Sequence, residues 1–103
     1  MKFDKLVRDR IPEIVEAQGK KPVTHIAADG EYEKRLREKL KEEAMEYYAS
    51  GRDEELADVL EVVYAICDAK KVTKANLEEI RAKKAKERGS FSKRIVLDNV
   101  EEK

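Results

Sequence analysis

The chain has 103 residues, of which 45% are charged and 41% hydrophobic, and its 23 basic and 23 acidic side chains cancel. That length fits one small domain over residues 1–103, the even charge argues against a globally basic nucleic-acid binder, and the lean apolar fraction suits a domain that completes its core by self-association. The one cysteine, Cys67, excludes an intrachain disulfide and a cysteine-based zinc site; inside the apolar run from Val62 it reads as a small buried thiol.

No apolar run reaches the ~18 residues that a membrane span needs. The opening Met1-Lys2-Phe3-Asp4-Lys5 lacks a signal-peptide apolar region. The expectation is a cytoplasmic protein with no membrane partner.

In chain order, residues 6–18 predict a short helix with a charged lead-in, Arg8-Asp9-Arg10. Pro12 suits a first turn, where its missing N–H costs little, and Gly19 suits a stop. Residues 20–29 are a connector in which 22–26 have weak strand character, and Asp29-Gly30 marks a turn. Residues 31–50 form the longest predicted helix, ended by Gly51. Asp53 is placed to cap the next helix, which runs to about Lys70. Thr73 caps a third long helix, with Val72 and Leu77 at the two staple positions, and Gly89 ends it. The tail alternates loosely around Ile95, Leu97 and Val100, so residues 94–98 are a candidate strand partner for 22–26. The expected architecture is an all-α bundle of about four helices, with that pair as a minor two-stranded element.

Two acidic clusters stand out: Glu42-Glu43-Ala44-Met45-Glu46 and Glu55-Leu56-Ala57-Asp58. Each sets carboxylates three residues apart on one helical face, with a Ser50-Gly51 turn between them. At roughly 100° per residue, Tyr32, Leu36, Leu40 and Tyr47 form an apolar stripe. Glu43 falls inside it, Glu46 on its edge and Glu42 clear of it. On the next helix Leu56, Leu60, Val63 and Cys67 cluster, and Val59, Val62 and Ile66 widen the arc. Glu55 lies inside that arc, Asp58 just beyond its edge and Glu61 on the exposed side. Such a helix is buried on several sides, and Glu55 and Asp58 are expected to face a second contact surface. A buried unpaired carboxylate costs several kcal/mol, so these acids call for cations. Lys39 and Arg35 are candidate partners along the helix, and a hard divalent ion such as Mg²⁺ is the other solution.

Seven basic side chains and one acid lie between Arg81 and Arg94, whereas the span from Glu42 to Glu61 has eight acids and one Arg. A polyphosphate uses both kinds of surface, metal to bridge its oxygens and Lys or Arg to neutralise the rest. The turn at Arg88-Gly89-Ser90 offers backbone N–H groups, and Phe91 can stack on a base. His25, the sole histidine, has no Ser, Cys or Asp partner arrangement and reads as structural or solvent-facing. There is no P-loop, dinucleotide-binding glycine pattern or zincin motif.

The two acidic clusters together resemble the EExxE…ExxD motif of the MazG-like all-α nucleoside triphosphate pyrophosphohydrolases. The opening Lys5-Leu6-Val7-Arg8-Asp9-Arg10-Ile11-Pro12 and the closing Lys86-Glu87-Arg88-Gly89-Ser90-Phe91-Ser92-Lys93-Arg94-Ile95 are similar to the small, phosphoribosyl-ATP pyrophosphohydrolase-like branch, predicted to act in nucleotide house-cleaning. This resemblance implies a Mg²⁺-dependent hydrolase that cleaves a nucleoside triphosphate between its α and β phosphates. It implies Glu43, Glu46, Glu55 and Asp58 as metal ligands and Glu42 as a catalytic, water-orienting group beside Glu43. It also implies a homodimer or higher homo-oligomer. The stretch between the motifs, residues 47–54, is short, which points to a smaller pocket or one completed by another subunit or the tail.

Arg8, Arg10, Lys84, Arg88, Lys93 and Arg94 are the candidates for phosphate contact, with Phe91 for the base; oxygen ligands suit Mg²⁺ or Mn²⁺ better than zinc. The same residues also fit a different class of molecule, a non-enzymatic oligomeric helical module that binds nucleotide or RNA through residues 81–94.

Overall fold

The structure is a computed structural model that describes residues 4–102. Among the described residues it is all-α, with four helices: α1, Ile11–Ala17; α2, Asp29–Ser50; α3, Asp53–Lys70; and α4, Lys74–Arg88. The chain divides into two compact units, one through Lys71 and one from Val72 onward. No strand forms among the described residues, and both 22–26 and 94–98 are irregular. Their β-branched residues supply propensity, but a strand needs a paired backbone.

In the first unit the helical hairpin of α2 and α3 is the packed element. Gly51 ends α2 in the left-handed region at φ 67°, its N–H donating to the Tyr47 carbonyl. Arg52, extended, is the N-cap of α3. Asp53 is therefore the first helical residue rather than the cap. Its carboxylate joins Glu54 and Glu55 in a first turn of three acids, where the helix dipole favours negative charge. The expected turn at Asp29-Gly30 is instead the first turn of α2.

The first helix is shorter than its sequence pattern suggests, because residues 6–10 are not helical. Pro12 explains this: its ring clashes with the carbonyl four residues back, that of Arg8, so the helix cannot extend upstream. The Arg8 carbonyl instead accepts the Ile11 N–H at 3.1 Å.

The hairpin core is small. Leu36 on α2 and Val62 and Cys67 on α3 are the buried apolar residues. The apolar arc of α3 is split: Val62 is buried and Val59 and Ile66 half-buried, whereas Leu56 and Leu60 are 51% and 48% exposed. The hairpin therefore uses the Glu55–Val62 side of α3. The two acids expected on a second surface lie on the α2 side, and Leu56 with Leu60 form the open one.

In the second unit the Thr73 hydroxyl accepts the Asn76 N–H at 3.0 Å, capping α4 as its sequence predicts, with Val72 and Leu77 half-buried. Gly89 closes the helix, its N–H donating to Ala85. No residue of α4 is buried, and residues 89–102 are exposed.

The connector is tied to α2 at Glu31, which meets His25 Nε2 at 2.9 Å and accepts from Arg35 Nε at 3.3 Å. The His25 hydrogen bond, aided by Arg35, holds the Glu31 carboxyl below the usual glutamate range against some desolvation. A carboxyl with a lowered folded value stabilises the fold above its unfolded value, and loses that contribution as pH falls through the folded one. Urea melts on a descending pH series should show stability dropping below the ordinary glutamate range, and Glu31→Gln should flatten part of that drop. An unchanged profile would remove this tie from the account.

Candidate metal centre

Glu43 on α2 and Glu55 and Asp58 on α3 each bring a carboxylate oxygen within 4.8 Å of the others. Helix spacing explains the convergence. Leu36 and Glu43 are two turns apart on the buried stripe of α2, and Glu55 and Val62 are two turns apart on that of α3. In an antiparallel hairpin the acids then come together near the turn, Glu43 lying eight residues before Gly51 and Glu55 and Asp58 three and six after Arg52.

Glu43 is 8% exposed, as its place in the apolar stripe implies. Its Oε1 lies 3.3 Å from Lys39 Nζ, while Oε2 is buried with no hydrogen-bond partner. Glu55 and Asp58 are half-buried. Each also meets a cation of the chain with one oxygen: Arg52 lies 3.0 Å from Glu55 Oε1, and Arg8 2.7 Å from Asp58 Oδ1. The other two predicted acids lie outside this trio. Glu46 is exposed, and the neighbouring Glu43 carboxylate pushes its carboxyl above the usual range, with smaller contributions from desolvation, Glu55 and Glu42. Glu42 is held by Lys5 at 3.0 Å and Lys39 at 3.4 Å. The Lys5 hydrogen bond pulls its carboxyl below the usual range.

The predicted phosphate ligands separate. Arg8 sits on Asp58, within the cluster. Arg10 bonds Glu13 at 3.1 Å and is exposed. Lys84 and Arg88, on α4, and Lys93 and Arg94, in the tail, are exposed residues of the second unit, as is Phe91, at 96%. Of the two helical partners proposed for the acids, Lys39 serves and Arg35 turns to Asp4 and Glu31 instead. Sequence reasoning missed Arg52, whose three-residue spacing to Glu55 was a usable signal. It also missed the Lys5–Glu42 and Arg8–Asp58 pairs, which join residues 37 and 50 positions apart and leave no local trace.

Two observations fit a divalent cation. The donor set is all carboxylate, which suits hard ions such as Mg²⁺ or Mn²⁺, and one oxygen of the cluster is buried without a hydrogen-bond donor. A shallow depression on α2 is lined by Glu38, Lys41, Glu42, Met45, Glu46 and Ala49, and none of the three clustered acids lines it. All its walls come from α2, so it is an open helix face and not an enclosed pocket.

A carboxylate buried with an unsatisfied oxygen lowers stability, and an apolar side chain of similar length removes that cost. Glu43→Met in EDTA should raise the unfolding free energy by about 1–3 kcal/mol, with Lys39 still paired to Glu42. A lower urea midpoint at unchanged m-value would contradict this.

The chain is 49% identical over 45 residues to a protein of Mycolicibacterium smegmatis described as an uncharacterized protein; the match covers 44% of this chain and 46% of that one. No protein-family profile matches the chain, and no solved structure matches it.

Proposed function

We propose that the protein is a Mg²⁺-dependent nucleoside triphosphate pyrophosphohydrolase that cleaves the α–β phosphoanhydride and acts in house-cleaning of noncanonical nucleotides. The observation that carries this reading is the buried Glu43 carboxylate, with a bare oxygen, in one cluster with Glu55 and Asp58. A structural hairpin gains nothing from an acid in its core. The likeness of the acidic double motif and of the two chain ends to the MazG-like enzymes supplies the reaction class.

Glu43, Glu55 and Asp58 hold the ion, with Glu46 alongside as a fourth carboxylate. Mg²⁺ held there would supply charge neutralisation for phosphate oxygens and a water of lowered pKa. Hydrolysis adds one water across the α–β anhydride: its oxygen joins one of the two phosphorus atoms, the bridging oxygen leaves with the other, and the released proton passes to solvent. Glu42, fixed by Lys5 and Lys39, orients the water. Arg8, on Asp58, neutralises phosphate charge.

A second reading also has an observation in its favour. The basic span 81–94 is solvent-exposed apart from half-buried Ala85, which suits a non-catalytic nucleotide or RNA binder. Pyrophosphate release from a panel of standard and modified nucleoside triphosphates separates the two. Turnover with Mg²⁺ should fall at least 100-fold in Glu43→Gln and Asp58→Asn and vanish in EDTA. Nucleotide binding without turnover selects the binding module.

The open Leu56–Leu60 face is covered, in this reading, by a second copy of the chain, since a helix apolar on two sides is buried on both. Sedimentation at micromolar concentration should give at least a dimer, and Leu60→Glu should shift it toward monomer. A monomeric wild-type chain would rule this out.

A further inference from the structure

The segment upstream of α1 is tied across both acidic helices by three side chains. Asp4 is bonded to Arg35 of α2 through its carbonyl at 2.8 Å and its carboxylate at 2.9 Å. Lys5 reaches Glu42 of the same helix at 3.0 Å. Arg8 crosses to α3 and meets Asp58 at 2.7 Å. At the other end Arg10 is bonded to Glu13 of α1. The segment is therefore anchored to α2 ahead of Arg8 and runs directly into α1 after it, and Asp4 and Lys5 hold residues that lie outside the carboxylate trio. Among these described ties, that of Arg8 ends directly on a member of the trio.

Arg8 and a divalent ion thus claim the same carboxylate. A guanidinium at hydrogen-bond distance from Asp58 brings its positive charge next to the cluster, where it repels a second cation. The pair is partly exposed, with side-chain accessibilities of 57% for Arg8 and 37% for Asp58. Such pairs are weak, so a divalent ion can displace this one at low cost. The planar guanidinium is also the side chain best matched to phosphate oxygens.

We propose that Arg8 is an exchangeable counter-ion: it holds Asp58 until a divalent cation takes the cluster, and is then handed to the anionic phosphate of the substrate. This rests on the metal-centre reading above and adds to it a coupling, in which metal loading itself arms the phosphate ligand. Because the ties of Asp4 and Lys5 to α2 persist, the exchange needs rotation of one side chain and not release of the segment.

The test measures Mn²⁺ binding to the full chain by calorimetry, and then inorganic triphosphate binding to the Mn²⁺-loaded chain, in wild type, Arg8→Gln and Arg8→Lys. Exchange gives effects of opposite sign. Arg8→Gln should bind Mn²⁺ about 2–5-fold more tightly, the range open to a partly exposed pair, and bind triphosphate at least 10-fold more weakly. Arg8→Lys should fall between it and wild type in both. If Arg8 only positions Asp58, Arg8→Gln weakens Mn²⁺ binding as well, and the proposal fails while the metal centre stands. Unchanged Mn²⁺ affinity in both variants also overturns it. If wild type binds no Mn²⁺, the metal-centre reading fails first and this one with it. Circular dichroism melts show that each variant is folded, and Arg8→Lys keeps the comparison open should Arg8→Gln not fold.

Discussion

One buried carboxylate governs how the first unit is built. A helical hairpin of this size ordinarily closes its seam with apolar side chains from end to end. Here the buried residues of the two helices are Leu36, Val62 and Cys67 together with Glu43, and Glu55 and Asp58 gather beside that acid near the turn. Burying an unpaired charge costs several kcal/mol, a large part of the 5–15 kcal/mol by which domains are stable at all. Much of the surrounding chemistry follows from that cost. Lys39, Arg52 and Arg8 each attend one acid of the trio, and the hydrogen bond and charge of Glu43 keep Glu46 protonated to higher pH than an isolated glutamate.

The helices were legible wherever local chemistry decides them. The bounds of α3, the Thr73 cap and the stops at Gly51 and Gly89 follow from periodicity and terminal residues, and so does the burial of Glu43. The errors share a different origin. Residues 6–10 look helical in composition but lie upstream of Pro12, whose ring constrains backbone four residues away. Val23, Thr24 and Ile26 have strand propensity but no ladder. The rotation of α3 placed Leu56 and Leu60 outside and Glu55 against α2, because which half of a broad apolar arc meets a partner is fixed by the partner and not by the arc. The Lys5 and Arg8 pairs cross 37 and 50 residues, beyond the reach of any helical wheel.

The two units are stabilised by different means. The hairpin has a thin apolar seam and a dense set of ion pairs. The second unit has a 15-residue helix with no buried residue, a length at which an isolated helix is marginal in water, so its hydroxyl cap and its basic last turn carry much of its local order. Its positive charge and the acidity of the hairpin show how a chain of zero net charge can still be strongly polarised along its sequence.

Two residues, Gly51 and Arg52, join α2 to α3, one left-handed and the other extended. That leaves almost no slack. Each residue of helix advances the axis by about 1.5 Å and turns it by about 100°, so the link works as a calliper that sets both the height and the bearing of Glu55 and Asp58 opposite Glu43. A deletion there would scatter the carboxylates along the surface while leaving every one of them in the sequence. The acidic motif is thus a statement about spacing as much as about residue type, and the turn between its halves belongs to the centre as fully as the acids do.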